Sequence, residues 1–171
     1  MTIYISIGYN CDPRTYMRYN LNISKNNGYR SCPFDLCITP YESLIQCLQT
    51  DFRHFFDNMH TIWGDNAGGD RSRCQTEGHQ NITNAYQMIF NHEGSTHAHL
   101  FTEGKDDDEF YIRNNFQEFR KRYSRRIQNF LDYIKENDDI TLIHSGDGDL
   151  AEILHLMRQK YPGKVFHGMK I

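Results

Sequence analysis

The sequence predicts an α/β fold in a single domain, a mostly parallel sheet covered by helices, and two observations carry the prediction. An apolar, β-branched run feeds a helix start twice, around Cys11 and around Ser145. The chain also closes on a strand-helix-strand unit, which normally pairs its strands in parallel through a right-handed crossover. With 171 residues and no internal repeat or linker, residues 1–171 form one unit able to bury a core.

Taken in order, Ile3-Tyr4-Ile5-Ser6-Ile7 alternates apolar and semi-polar side chains and reads as the first strand. Gly8-Tyr9-Asn10 breaks it, and Cys11-Asp12-Pro13 leads into a short helix through Arg14 to Arg18. Asn20 to Tyr29 is a polar loop, and Arg30 to Leu36 bends at Pro33. Thr39 caps a helix that has Pro40 at its first position and Glu42 completing a capping box. Leu44, Ile45 and Leu48 form its apolar face, and Phe52 to Phe56 reads as a second short amphipathic piece.

Gly64 to Gly78, which contains Cys74, reads as a flexible loop, and Ala85 to Phe90 as a strand ending at Asn91-His92-Glu93. His97 to Phe101 is short and alternating. From about Asp106 to Glu136 runs the longest element, with acids at its start and a stripe of Ile112, Phe116, Phe119, Tyr123, Ile127, Phe130 and Ile134. Ile140 to His144 is a buried strand, Ser145 to Asp149 a turn and helix cap, and Leu150 to Tyr161 a helix stopped by Pro162-Gly163. Lys164 to Ile171 is the last strand.

Composition excludes several classes. A net charge of −3 and a pI near 6.3 give no global drive toward nucleic acid or an anionic membrane. The mean hydropathy is −0.75, and no run approaches the roughly 20 apolar residues of a membrane span. Five irregularly spaced cysteines argue against a disulfide framework. With no basic, apolar leader after Met1, the expected setting is intracellular and cytoplasmic. The abundance of Asn, Ile, Tyr and Lys is that of an AT-rich genome, for instance a viral one, in which case the setting is host cytoplasm.

Cys11 is the most informative residue. At a strand-to-helix junction a thiol faces the positive end of the helix dipole, which favours the thiolate; the competing reading is a small buried hydrophobe.

Four blocks then resemble, in order, an uncharacterised family labelled papain-like cysteine peptidases. They are Ile5-Ser6-Ile7-Gly8-Tyr9-Asn10-Cys11, Ser31-Cys32-Pro33-Phe34-Asp35, Phe90-Asn91-His92-Glu93 and Tyr123-Ser124-Arg125-Arg126-Ile127. They match that family's Ser-Leu-Gly-x-Asn-Cys strand end, Pro-Phe-Asp-Trp segment, Phe-x-His-Asp-like step and Tyr-x-Arg-Arg helix. Leu36 stands where the family has Trp, and Glu93 where Asp is common. The resemblance implies a cysteine-dependent hydrolase acting on a peptide, isopeptide or ester bond, and a papain-like α+β fold as the alternative architecture.

A cysteine nucleophile needs a base and a group to orient the base. Cys11 is the nucleophile candidate, His92 the base and Asp35 the orienting acid, while Asn10, or the amides of Cys11 and Asp12, can donate to an oxyanion. Papain-type enzymes run Cys, His, then Asn or Asp, whereas Asp35 precedes His92. Either the orienting group lies later, or the site is convergent, and the strand-first entry to Cys11 is closer to a nucleophile elbow. His92 can equally be a capping or core histidine, and Asp35 a turn carboxylate.

His97 and His99 with Cys32, Cys37, Cys74 or His79 offer nitrogen and sulfur, but no metal-site spacing appears. No metal or other cofactor is expected. Arg120 to Arg126 reads as a solvated basic face with salt bridges, or, at Arg125 and Arg126, as a grip on a substrate carboxylate or phosphate. Two rivals to the hydrolase follow: a non-catalytic, for instance viral, binding protein on the same fold, and a phosphoester- or nucleotide-acting enzyme using Arg125 and Arg126. The expected partner is a protein or peptide substrate, and the sequence leaves the oligomeric state open.

Overall fold

The computed structural model describes residues 2–63, 80–93 and 108–171. The expected loop at 64–78 with its Cys74, His79, the segment 97–101 and the acids at 106 and 107 lie outside them.

The architecture is mixed α/β. Strand β1 (Ile3–Ser6), β5 (Asp139–His144) and β6 (Val165–Lys170) form a parallel sheet in the order β1-β5-β6. Ile3 pairs with Ile140 and Ser6 with Ile143, while Asp139 pairs with Val165 and His144 with Lys170. Helix α1 (Asp12–Asn20) follows β1, and α4 (Leu150–Lys160) joins β5 to β6. Both strand-to-helix junctions stand as expected. Asp149 caps α4, accepting from the Ala151 and Glu152 amides, because a carboxylate satisfies donors that lack partners in a first turn.

A second, antiparallel sheet in the order β2-β3-β4 is built from β2 (His60–Trp63), β3 (Gln80–Thr83) and β4 (Ile89–Phe90). Only two residues of the expected 85–90 strand pair. The Asn84 side chain accepts from the Tyr86 and Met88 amides and donates to the Phe55 carbonyl. Those bonds fold 84–88 into a turn instead of a ladder.

Helix α2 (Tyr41–Gln49) starts at Pro40 without a side-chain cap. The Thr39 hydroxyl bonds to the Cys37 thiol instead of capping. The Phe52–Phe56 piece is a run of turns: Asp51 and Phe52 take left-handed backbone angles and reverse the chain while burying Phe52 and Phe55. Helix α3 (Asp108–Glu136) breaks between Arg113 and Phe116, where Asn114, Asn115 and Phe116 have φ of 50°, 56° and 59°. Asn tolerates that region and Phe does not readily. From the expected stripe Phe116, Phe119, Tyr123, Phe130 and Ile134 are buried. Phe55, Phe90, Phe119 and Tyr123 pack ring against ring. One core joins both sheets and all four of these helices.

Candidate active site

The two carboxyl-terminal ends of β1 and β5 lie side by side, the usual place for a site in an open parallel sheet. Beyond the ladder, Ile7 N bonds to Ile143 O at 2.9 Å and Tyr9 N to Ser145 O at 3.2 Å. The Ser145 hydroxyl donates to Asn10 Oδ1 at 3.2 Å. Gly8 is needed at this crossing: a Cβ there would lie 2.1 Å from Pro13 Cγ and 2.7 Å from Ser145 Oγ. Beside the junction opens a cleft of about 460 Å3 between Tyr9, Tyr41, His144 and the 145–148 turn. Burial first, and Lys170 second, hold His144 below its ordinary pKa.

Cys11 occupies the N-cap position of α1 with φ −78° and ψ −3°, and is half-buried. Cys32, Cys37 and Cys47 are buried. Burial pushes the Cys32 and Cys47 thiols well above their ordinary value and Cys37 up to about 12. Cys11 is therefore the accessible thiol among the described residues. The first turn around it is partly committed. Asp12 N donates to Asn10 Oδ1 at 3.0 Å, Asn10 Nδ2 donates to Asp12 Oδ2 at 2.8 Å, and Pro13 has no N–H. Asn10 thus closes the turn through both ends of its amide, with one Nδ2 hydrogen left for another acceptor.

Asp35 is 1% exposed. Its Oδ1 accepts from the Tyr29 hydroxyl at 2.9 Å and its Oδ2 from Cys32 N at 3.0 Å, with Arg14 Nε at 3.8 Å. Burial raises its pKa to about 6 against those opposing contacts. The Asp35 carboxylate therefore ties the 29–35 segment to α1 one turn beyond Cys11.

His92 is half-buried in the turn after β4. Glu93, 2% exposed, forms ion pairs with Arg122 and with Arg126, the latter at 3.8 Å. Arg126 is itself buried, 4.6 Å over the Tyr123 ring. Its charge is held by that ring and by Glu93 against the opposing cost of burial, which is the largest single influence on it. Arg125 is exposed. The basic stretch of α3 is thus graded in burial: Arg126 is buried, Arg122 half-buried and Arg125 exposed.

Segment 32–39 is the common neighbour of these parts. Thr39 N bonds to Tyr9 O at 2.7 Å, and Ile38 forms an antiparallel bridge with Ile89 through bonds of 2.8 and 2.9 Å. Arg14 reaches Asp35 from α1, and Cys37 feels the charges of Arg126, Asp35 and Glu93. All four sequence blocks therefore meet around one strip of chain.

Sequence reasoning missed Glu93 as the counter-ion of α3. A signal existed: Phe119, Tyr123, Arg126 and Phe130 recur at intervals of four, three and four, which places Arg126 on the apolar stripe, where a cation needs a partner. Among the described residues no group of three or more His, Cys, Asp or Glu side chains could hold a metal ion, and no helix is long and apolar enough to cross a membrane.

Searches of curated proteins and of solved structures gave no match. A family model does match, over residues 2–162. The chain belongs to the family described as "putative papain-like cysteine peptidase".

Proposed function

We propose that the protein is a cysteine-dependent acyl hydrolase in which the Cys11 thiolate attacks a peptide, isopeptide or ester carbonyl and His92 acts as general base. The observation that carries this reading is the contrast among thiols: Cys11 is accessible at the start of a helix, whereas three others are buried and held protonated. A helix N-terminus favours a thiolate, and a cleft opens at Tyr9, two residues before Cys11.

The strand network supports His92 as partner. Tyr9 neighbours Thr39, and Ile38 neighbours Ile89. Two hydrogen-bonded steps thus connect the chain that leads to Cys11 with the chain that leads to His92.

In the reaction, the Cys11 sulfur bonds to the acyl carbon, His92 delivers the thiol proton to the leaving amine or alcohol, and a thioester remains. Water, deprotonated by His92, then releases the acid and restores the thiol. The free Nδ2 hydrogen of Asn10 is the neutral donor for the tetrahedral oxyanion. Asp35 acts on this site by anchoring segment 32–37 against α1 through Arg14.

Cys11→Ala is expected to abolish hydrolysis of a fluorogenic acyl-substrate panel and labelling by thiol-directed electrophiles, with melting unchanged. Equal overall labelling of the wild type and the variant, or residual hydrolysis at the wild-type rate, contradicts it.

A further inference from the structure

Another cleft, of about 560 Å3, opens between segment 29–31 and α3. Lys25, Arg30, Arg122, Arg125 and Arg126 line it together with Ser31, and no acidic side chain does so among the described residues. Its two walls are pinned together: Asn129 donates to Ser31 O at 2.9 Å and Arg30 N to the Tyr133 hydroxyl at 2.7 Å. A volume of this size suits a small ligand.

The charges there do not balance. Arg30 is matched by Glu136 at 2.7 Å and Asp132 at 3.7 Å. Arg122 and Arg126 share the single Glu93 carboxylate. Lys25 and Arg125 have no acidic partner among the described residues. Among the described residues Lys25 and Arg125 are thus two cations of this cleft without an ion-pair partner, and the buried Asp35 carboxylate acts on Lys25 only through its charge. Arg126 adds a second, independent observation: it is 7% exposed, and its Nη1 is buried without a hydrogen bond, with Glu93 Oε1 only at ion-pair distance of 3.8 Å. A buried guanidinium N–H normally finds an acceptor.

We propose that this cleft binds the oligophosphate group of a small ligand, held by Lys25, Arg122, Arg125 and Arg126 with the Ser31 hydroxyl as a neutral donor. One carboxylate brings a single negative charge, while two or more linked phosphates match Lys25 and Arg125 together and supply acceptors for several N–H groups at once, the buried Arg126 Nη1 included. Lys25 supports the match: burial first, then the charges of Arg126, Arg14 and Arg125, outweigh the opposing Asp35 carboxylate and hold its pKa below the ordinary lysine value, and a bound polyanion reverses the charge part of that penalty. The cleft next to it shares Lys25 and Ser31 and carries Tyr19 and Leu36, so a ligand's organic part has an adjoining place.

The test titrates tripolyphosphate and a nucleoside triphosphate separately into the full chain by calorimetry at about 0.15 M salt, so that surface charges are screened. Both are expected to bind one to one, and the Lys25→Ala/Arg125→Ala variant to bind about tenfold more weakly or worse. Lys121→Ala, which removes an exposed cation of the same helix, should change affinity by less than about twofold. Equal affinities mean that the phosphates alone are read, and a tighter nucleotide means that the adjoining cleft takes the nucleoside; both support the site. Cys11→Ala should bind like the wild type, which separates this site from the thiol chemistry. No binding of either probe, or equal weakening by Lys121→Ala, overturns the proposal.

Discussion

Asp35 shows how one buried residue can hold a functional region together at a measurable cost. Its carboxylate is buried, with the Tyr29 hydroxyl, the Cys32 amide and Arg14 around it, and burial still moves its pKa from 3.8 to about 6. The folded state therefore keeps the proton to higher pH than the unfolded chain does. Stability falls as pH rises through that window and levels off above it. Two units at about 1.4 kcal/mol each make the expected loss about 3 kcal/mol. Asn at this position has nothing to titrate. Urea unfolding of the wild type and Asp35→Asn, followed from about pH 3.5 to 7, should show the wild type losing about 3 kcal/mol relative to the variant. A constant difference across that range contradicts the assignment.

Among the elements, helix α3 and the turn after β4 are coupled through Glu93. Two arginines on successive turns of α3 converge on one buried carboxylate, and taking that carboxylate away strands a buried charge. Glu93→Gln keeps the shape and removes the charge, so the expected loss is about 3 kcal/mol. In a chain of this size that is a fall in Tm of roughly 10 °C, read by calorimetry. A Tm within about 1 °C of the wild type would show that the ion pairs contribute nothing to holding α3 against β4.

Elements were legible in the sequence wherever local chemistry decides. The parallel strands are apolar runs followed by helix starts, and Asp149 caps α4 as its side chain dictates. The antiparallel sheet was not legible. His60-Thr61-Ile62-Trp63 and Gln80-Asn81-Ile82-Thr83 are short and half polar, and only pairing with one another makes them strands. Similarly, the Asn84 side chain converts an apolar run into a turn by bonding to backbone four residues on. The break at 113–116 follows from two asparagines able to adopt left-handed angles, which their helical neighbours conceal.

In the whole molecule, two sheets share one core, and segment 32–39 spans the gap between them, bonded to Tyr9 on one side and Ile89 on the other. That placement brings blocks far apart in sequence to one strip. The place of Cys11 at a helix start was readable from its junction alone. The convergence of Arg14 on Asp35 and of Glu93 on Arg122 and Arg126 was not, since ion pairs between distant segments leave no local pattern. The family match over 2–162 fits a site assembled from the entire fold rather than from one motif.

The most direct measurement of the central claim is the pH dependence of iodoacetamide alkylation at Cys11, followed by mass spectrometry in the wild type and in His92→Gln. If an imidazole and the α1 terminus jointly stabilise the thiolate, the wild-type rate should rise through an apparent pKa well below the ordinary thiol value of about 8.5. His92→Gln should then return it toward that value. An ordinary pKa in the wild type, unchanged by the substitution, would contradict the account.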